Sequence, residues 1–164
     1  MVKNSKVVVV SPDAGGIKRA EQFRQHLGKA TGSPVGSAFA EKHRSEGIVS
    51  GDLLVGDVSG KDAIIIDDLI STGITLARTA DACRRLGASR VFAVATHGLF
   101  IAGAPALLDN SALQEIVVTD TVPAFRLEGS PSRAKVTMIS CAELVAQAIH
   151  RLHTGGSITE LSAF

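Results

Sequence analysis

The chain of 164 residues is 45% hydrophobic, with a mean hydropathy of +0.25, which is enough apolar material for one core, so we expect a single domain over residues 1–164. Lys and Arg number 17 against 16 Asp and Glu, and aromatics make up 4% with neither Trp nor Tyr, which argues against nucleic acids and acidic membranes as partners. The apolar run near the N-terminus is too short for a signal sequence or a membrane span, so we expect a cytoplasmic protein.

The first predicted strand is the run of four valines at residues 7–10, which is followed by a turn and a helix over residues 17–27. Gly15 and Gly16 in the turn permit a close approach of the backbone to a ligand. Asp13 supplies a carboxylate of the kind that holds Mg²⁺ together with substrate phosphates. A plain N-terminal helix cap is the alternative interpretation of this turn.

Residues 31–58 are rich in Gly and Ser, and this composition predicts a strand, a flexible loop and a second strand. The loop carries a charge cluster that includes Lys42 and Arg44. Alternate residues of an extended segment point the same way, so both cations can reach one anionic group and stabilise the charge on transferring phosphoryl oxygens. A solvated charge run is the alternative.

The apolar run at residues 63–66 predicts a strand buried on both faces of a parallel sheet, whose ligands lie beyond the carboxyl ends of the strands. Asp67 and Asp68 fall at that end, and they repel each other unless a cation, hydroxyls or a ligand compensates. Small residues then offer amides and hydroxyls to a phosphate at a helix N-terminus: Ser71, Thr72, Gly73 and Thr75. A ribose 5-phosphate would satisfy both ends, whereas a solvated carboxylate pair at the sheet rim is the alternative.

A helical pattern over residues 76–86, with Gly87 as its C-terminal stop, leads to a predicted strand over residues 91–95. His97 follows on the ligand-facing rim and is a candidate hydrogen-bonding group, with a purely structural role as the alternative. Cys83 and Cys141 match no metal-ligand spacing, so we expect both to be buried small apolar residues.

The last part of the chain predicts strands over residues 116–118 and 136–139, joined by a surface connection without chemistry over residues 124–134. Ser140 and Glu143 form a capping-box pattern for a last helix that extends to about residue 152. The alternation of strands and helices predicts an α/β fold: a doubly wound, mostly parallel sheet flanked by helices, with a small flexible hood or loop.

The family resemblance lies in motifs that occur in the same order along nearly the whole chain: VVVVSPDAGGIKRA, EKHR, GDVSGKDAIIIDDLISTG, THG, EIVVTDTVP and AQAIHRLHTGGSITEL. Together they resemble the C-terminal half of the ribose-phosphate pyrophosphokinases, also called phosphoribosyl pyrophosphate synthetases, which have the type I phosphoribosyltransferase fold. The resemblance implies a transferase of nucleotide biosynthesis that binds ribose 5-phosphate, phosphoribosyl pyrophosphate and ATP with Mg²⁺. The implied reaction is attack of the ribose 1-hydroxyl on the β-phosphorus of ATP, which releases AMP.

The resemblance also implies a role for each matching residue. Asp67 and Asp68 would hold the ribose hydroxyls, and Asp13 would help to place Mg²⁺ near the ribose and the diphosphate. Lys42 and Arg44 would steady the transition state as the cations of the loop. The cradle of the 5-phosphate would consist of Ser71, Thr72, Gly73 and Thr75. His97 also matches a family position.

The chain departs from the family pattern at two places. The family typically has Asp-Thr-Ala or Asp-Thr-Cys before Gly-Thr in the sugar-phosphate loop, where this chain has Ser71-Thr72-Gly73-Ile74-Thr75. Ile74 stands where a glycine is usual, and a β-branched residue does not adopt positive φ without strain, so we expect a reshaped loop. The segment THGLFIAGAPA also lacks the SGPA that usually follows THG.

Full-length synthetases have an N-terminal half that resembles this domain and supplies much of the ATP site, so we expect a homo-oligomer or pairing with an N-terminal-half subunit. Two other functions stay open. One is a phosphoribosyltransferase that consumes phosphoribosyl pyrophosphate with a nucleobase, favoured by Thr72-Gly73 and by the missing half. The other is a non-catalytic regulatory subunit that binds sugar phosphates.

Overall fold

The computed structural model describes residues 6–41, 53–101, 103–109 and 111–162. The strands in this part of the chain are β1 Val7–Ser11, β2 Val35–Glu41, β3 Leu53–Val55, β4 Asp62–Ile70, β5 Arg90–Gly98, β6 Glu115–Thr119 and β7 Val136–Ile139. The α-helices are α1 Ile17–Thr31, α2 Ile74–Arg85, α3 Ala104–Asp109 and α4 Ala142–Thr154. Within the described ranges no helix is both long enough and apolar enough to cross a membrane.

The strands form one sheet in the order β3-β2-β1-β4-β5-β6-β7. Every neighbouring pair is parallel except β2 with β3, which is antiparallel. The predicted α/β class with a mostly parallel sheet is therefore confirmed. The hairpin of β2 and β3 also matches the two strands that the sequence predicts on either side of the loop, and the loop itself, with Lys42 and Arg44, lies outside the described residues.

Helices cover both faces of the sheet, which explains why the middle of each central strand is apolar. All five residues of β1 are buried. On one face, Ala20, Phe23 and Leu27 of α1 pack against the sheet, at the three- and four-residue spacing that the sequence predicts. On the other face, α2 and α3 enclose the larger core, in which Cys83 is fully buried as expected.

The candidate site lies where consecutive crossover connections lead to opposite sides of the sheet. From β1 the chain crosses through α1 to β2 on one side, and from β4 it crosses through α2 to β5 on the other. The carboxyl ends of β1 and β4 are therefore neighbours whose connections diverge, and this arrangement opens a crevice where α/β proteins bind ligands.

The two central strands are longer than the sequence predicts. β4 runs on to Ile70, so Asp67 and Asp68 lie within the strand rather than after it. β1 pairs with β4 only as far as Ile65, whereas β5 pairs with β4 as far as Ile70, the last residue of β4. The far end of β4 therefore projects past β1 into the crevice, and its pairing with β5 supports it there.

Helix α4 is capped only in part as the sequence predicts. The Ser140 hydroxyl accepts from the Ala142 amide at 3.3 Å, but Glu143 accepts from Gln147 and does not complete the capping box. Asp120 adds to the cap, because it accepts hydrogen bonds from the Ser140 hydroxyl at 2.6 Å and the Cys141 amide at 2.8 Å. A partner 20 residues away cannot be found in a local pattern. Cys141 is also partly exposed, so its predicted burial is wrong.

The connection over residues 124–134 is not simply a surface segment. It contains two 3₁₀ turns, Phe125–Leu127 and Pro131–Lys135. Leu127 and Ser132 are fully buried beneath them. The apolar side chains here are too few for a periodic pattern, so the sequence does not reveal that they close one end of the larger core.

Candidate functional site

The carboxylate pair of β4 lies at the head of the crevice. The Asp67 side chain is 21% exposed and the Asp68 side chain 63% exposed. Arg19, in the first turn of α1, contacts both: its Nη1 lies 3.0 Å from Asp67 Oδ1, and its Nη2 lies 2.7 Å from Asp68 Oδ2. The repulsion that the sequence predicts is therefore offset by a cation within the chain itself.

Burial raises the pKa of the Asp67 carboxyl above its ordinary value, and the adjacent Asp68 carboxylate raises it further. Two interactions oppose this shift by stabilising the ionised form. The Asp68 amide donates to Asp67 Oδ1 at 2.9 Å, and the Arg19 guanidinium adds its positive charge. The pair thus combines one half-buried carboxylate and one exposed carboxylate that share a cation.

A pocket of about 80 Å³ joins this pair to the loop that follows β4. It is lined by Asp67, Leu69, Ile70, Ser71, Thr72, Gly73, Ile74, Thr75 and Leu76. The four amides that begin a helix have no intrahelical partner, and α2 has no acidic residue in its first turn. The structure therefore brings a carboxylate acceptor, Asp67, and a helix N-terminus that can bind an anion to the lining of one pocket.

The loop reaches α2 without strain at Ile74. Gly73 takes the left-handed conformation, with a φ of 76°, and Ile74 is the first residue of α2, half exposed beside the pocket. A reshaped loop was expected because a β-branched residue would have to adopt positive φ. Ile74 avoids that strain because the positive φ falls on Gly73, one residue earlier, and the reshaping of the loop relative to the family stays a prediction.

The segment after β5 forms hydrogen bonds to the end of β4 and to the start of the loop between β4 and α2. Phe100 is fully buried with a φ of 49°, the only positive φ of a non-glycine residue in the described ranges. Its amide donates to the Ile70 carbonyl at 3.1 Å, and the Ile101 amide donates to the Ser71 carbonyl at 3.0 Å. A Cβ at Gly98 would overlap the Phe100 ring. This packing fixes the backbone at the start of the loop between β4 and α2.

Asp13 lies at the neighbouring end of β1, where it caps the turn before α1. Its Oδ1 accepts from the Gly16 amide at 2.9 Å, and its carbonyl accepts from the Ser11 hydroxyl at 2.7 Å. The cap that the sequence offered as an alternative is therefore present. The carboxylate remains exposed, with one oxygen committed to the cap.

A Cβ at Gly16 would lie 2.7 Å from the Ser11 hydroxyl, so this tight turn requires a glycine. Among the residues that the structure describes, no three His, Cys, Asp or Glu side chains converge on a metal-sized site. A Mg²⁺ ion often binds through one or two carboxylates and completes its shell with waters and substrate phosphates, and an exposed Asp13 fits that chemistry.

His97 lies within β5, opposite Leu69 of β4, rather than after the end of its strand. Its Nδ1 lies 2.8 Å from the hydroxyl of Thr121, which in turn lies 2.9 Å from the hydroxyl of Thr119. Thr119 donates to the carbonyl of Thr96 at 2.7 Å. The structure thus places His97 in a hydroxyl network at the same edge of the sheet, one strand away from the carboxylate pair.

Arg19 is not among the site residues predicted from the sequence, although the sequence contains a signal for it. The first turn of α1 carries Lys18 and Arg19 and no acidic residue. Cations at a helix N-terminus are unfavourable because the macrodipole is positive there. A cation in this position therefore calls for a carboxylate partner, and Asp67 and Asp68 are that partner.

Comparison with known proteins gives a consistent set of relatives. Residues 50–163 match the family model described as the phosphoribosyl synthetase-associated domain. The ribose-phosphate pyrophosphokinase of Vibrio parahaemolyticus serotype O3:K6 is 39% identical over 155 residues, and that of Vibrio cholerae serotype O1 is 38% identical. Each alignment covers 94% of this chain and 47% of the relative.

Among solved structures, the crystal structure of phosphoribosylpyrophosphate synthetase from Mycobacterium smegmatis matches with a TM-score of 0.80 and 36% sequence identity. The match covers 94% of this chain and 47% of that chain. The chain therefore spans about half the length of the relatives it matches.

Proposed function

Because the chain belongs to the ribose-phosphate pyrophosphokinase family, we propose that its crevice is the sugar-phosphate half of a site that transfers diphosphate from ATP to ribose 5-phosphate. The observation that carries the proposal is the shared pocket of Asp67 and the loop before α2. A vicinal diol needs hydrogen-bond acceptors and a phosphate needs hydrogen-bond donors. The pocket offers an acceptor at Asp67 and donors in the loop before α2.

In the proposed complex, Asp67 and Asp68 accept hydrogen bonds from two ribose hydroxyls. The phosphate lies against the backbone amides and hydroxyls of the loop, which are those of Ser71, Thr72, Gly73 and Thr75. These contacts fix the sugar from both ends, so the 1-hydroxyl is held in one direction. His97 contributes a further hydrogen bond from the rim.

The oxygen of the ribose 1-hydroxyl then bonds to the β-phosphorus of ATP, and the bond from that phosphorus to the oxygen bridging the α-phosphorus breaks. The hydroxyl loses its proton, and AMP leaves. Lys42 and Arg44 are assigned to the transferring phosphoryl oxygens, where cations stabilise the transition state. β2 runs parallel to β1 and ends at Glu41. Its carboxyl end therefore lies at the same end of the sheet as Asp13, which follows β1.

Asp13 is assigned to a Mg²⁺ ion, which would neutralise the charge of the diphosphate when bound. The fit rests on the exposed carboxylate at the end of β1, next to the carboxylate pair of β4. An ATP-dependent enzyme of this kind would act in the cytoplasm, and the other half of the ATP site would come from a second copy or an N-terminal-half subunit.

A phosphoribosyltransferase that consumes phosphoribosyl pyrophosphate is the second candidate, because Thr72-Gly73 follows the loop pattern of those enzymes. A third candidate, a non-catalytic regulatory subunit, would bind the sugar phosphate by the same contacts. Both share the diol and phosphate ends of the site and differ only in what reacts there.

Phosphorus NMR separates these candidates. The protein is incubated with Mg²⁺, ATP and ribose 5-phosphate, alone and with the N-terminal half of a synthetase. We expect the resonances of AMP and of phosphoribosyl pyrophosphate to grow in the second mixture. Absence of AMP from both mixtures contradicts the proposal, and consumption of phosphoribosyl pyrophosphate on addition of nucleobases supports the second candidate. Binding of ribose 5-phosphate without any turnover supports the third.

A further inference from the structure

Arg19 is the one cation that touches both carboxylates of the pair in the part of the chain that the structure describes. It makes two parallel contacts, from Nη1 to Asp67 Oδ1 at 3.0 Å and from Nη2 to Asp68 Oδ2 at 2.7 Å. The planar guanidinium has its donors in a fixed fork, so it sets the directions of both carboxylates at once. A flexible ammonium would fix only one direction.

The two contacts leave one oxygen of each carboxylate available. Asp67 Oδ1 also accepts from the Asp68 amide, so the committed oxygens are Asp67 Oδ1 and Asp68 Oδ2. Asp67 Oδ2 and Asp68 Oδ1 take no part in the Arg19 contacts or in the hydrogen bond from the Asp68 amide. The clamp therefore presents two acceptor oxygens, which is the number that a vicinal diol requires.

The turn before α1 makes room for this clamp. A Cβ at Gly16 would lie 3.5 Å from Arg19 Nη1, so the guanidinium passes close over the Gly16 backbone on its way to β4. The amide of Gly16 is in turn held by Asp13 Oδ1 at 2.9 Å. Arg19 thus links the end of β1, where Asp13 lies, to the carboxylates of β4.

The position of Arg19 is costly for the helix, because a cation in the first turn opposes the macrodipole. Its neighbour Lys18 has the same position relative to the dipole but is exposed. Within the described ranges Lys18 makes no ion pair with Asp67 or Asp68. The ion pair with two carboxylates offsets this cost for Arg19. The two neighbours therefore form a natural comparison for experiment.

We infer that Arg19 is the positioning residue of the diol end: it holds Asp67 and Asp68 so that one oxygen of each faces a hydroxyl of the sugar. This inference rests on the proposed function, because it assumes that the pair binds ribose. Arg19 does not itself contact the sugar in this arrangement. It acts through the carboxylates and leaves the phosphate end of the pocket untouched.

The test measures affinities by calorimetry for ribose 5-phosphate, 2-deoxyribose 5-phosphate and inorganic phosphate. For R19Q we expect ribose 5-phosphate to bind about tenfold more weakly, which is the order of one lost charge-assisted hydrogen bond. Inorganic phosphate should bind as in the original protein. The preference for ribose 5-phosphate over its deoxy analogue should fall, because the acceptors for the diol are no longer held in place.

R19K keeps the charge but cannot bridge the pair with a fork, so it should recover only part of the preference. K18Q removes a cation from the same turn and should leave all three affinities unchanged. Thermal unfolding of each variant reports whether it folds, and R19K provides the test if R19Q does not.

Three results overturn the inference while leaving the proposed function intact. The first is an unchanged preference for ribose 5-phosphate in both Arg19 variants. The second is an equal loss of affinity for all three ligands, which would mean that Arg19 only supports the fold. Tighter binding of ribose 5-phosphate by R19Q would also overturn it, because Arg19 would then be a competitor for the carboxylates. If the original protein binds no ribose 5-phosphate, the proposed function itself fails.

Discussion

At the scale of single residues, the pair of Asp67 and Asp68 shows how two adjacent carboxylates are stabilised by a neighbouring cation. Adjacent carboxylates are stable here because Arg19 contacts both and the Asp68 amide contacts one. Asp67 also lines a pocket that includes the first residues of α2. The consequences of changing each group can therefore be stated separately.

Asp68→Asn should weaken the binding of ribose 5-phosphate, because an amide replaces a charged acceptor and loses half of the Arg19 clamp. A charged hydrogen-bond partner contributes about 1–3 kcal/mol, and we expect a loss in that range by calorimetry. Asp81→Asn is the matched control, since Asp81 is exposed two turns along α2. Equal affinities of the Asp68 variant and the original protein would make the pair a solvated feature of the sheet rim.

Lys42→Ala should reduce turnover more than it reduces ground-state binding, since the proposed contact is to oxygens that gain charge in the transition state. The measurement compares kcat with the affinity for ribose 5-phosphate in the complemented mixture. Lys29→Ala, at the exposed C-terminal end of α1, serves as the control. Equal losses in turnover and in affinity would argue against a transition-state role for Lys42.

Sequence reasoning found the acidic residues of the site because Asp67 and Asp68 stand together in one motif. It did not find Arg19 as their partner, because the pair is separated by 48 and 49 residues and meets only when α1 packs beside β4. Ile74 is the opposite case. The departure from the family pattern was visible, but whether Gly73 or Ile74 takes the positive φ depends on where α2 begins.

At the scale of elements, the loop between β4 and α2 depends on one glycine. Gly73→Ala should lower the free energy of unfolding by about 1–2 kcal/mol, because an alanine is strained at a φ of 76°. Its Cβ would also lie 3.3 Å from Leu108. Urea titration measures the loss, and affinity for inorganic phosphate should fall with it.

Gly28→Ala is the matched control for that substitution. Gly28 lies inside α1 without a positive φ, and its nearest contact for a Cβ is 3.6 Å away. An alanine there should be neutral or stabilising by about 0.5–1 kcal/mol. If both variants lose the same stability, the left-handed turn at Gly73 is not what the loop requires.

The N-terminus of α4 should respond to acid through Asp120. Hydrogen bonds from Ser140 and from the amide and thiol of Cys141 lower the pKa of Asp120 from 3.8 to about 2. A lowered pKa stabilises the folded form above the ordinary value, and this stabilisation is lost as the pH falls from about 4 to about 2. We expect the first turn of α4 to loosen over that range, as measured by the Cα chemical shifts of residues 141–145.

Asp120→Asn should remove this acid response and loosen the first turn at neutral pH as well. Asp81→Asn, which changes a carboxylate on a different helix, should retain the response. A transition of equal size in the Asp120 variant would assign the response to other groups.

Elements whose signals are local could be predicted, and those whose partners are distant could not. β7 has the bounds that its apolar run predicts, because nothing beyond the run continues the ladder. The longer ends of β4 and β5 arise from pairing with each other, and the cap of α4 arises from the end of β6. In each case, contacts between residues far apart in the sequence determine where the element ends or how it is capped.

At the scale of the whole molecule, the order of the strands decides where the site lies. The sequence predicts parallel strands with ligands at their carboxyl ends, but not that β1 and β4 are neighbours with diverging connections. That arrangement brings Asp13, Arg19 and the carboxylate pair to one crevice. At the other end of the sheet, α4 follows β7, and its Leu144, Ile149 and Leu152 are half to two-thirds exposed.

The most direct test of the account is a titration of the ¹⁵N-labelled protein with ribose 5-phosphate, followed by amide chemical shifts, beside the same titration with inorganic phosphate. We expect both ligands to shift the amides of residues 71–76, and only ribose 5-phosphate to shift those of residues 67–69 and the Arg19 side chain. A sugar-phosphate site in this crevice is contradicted if ribose 5-phosphate shifts none of its residues, or if it shifts only those that inorganic phosphate also shifts.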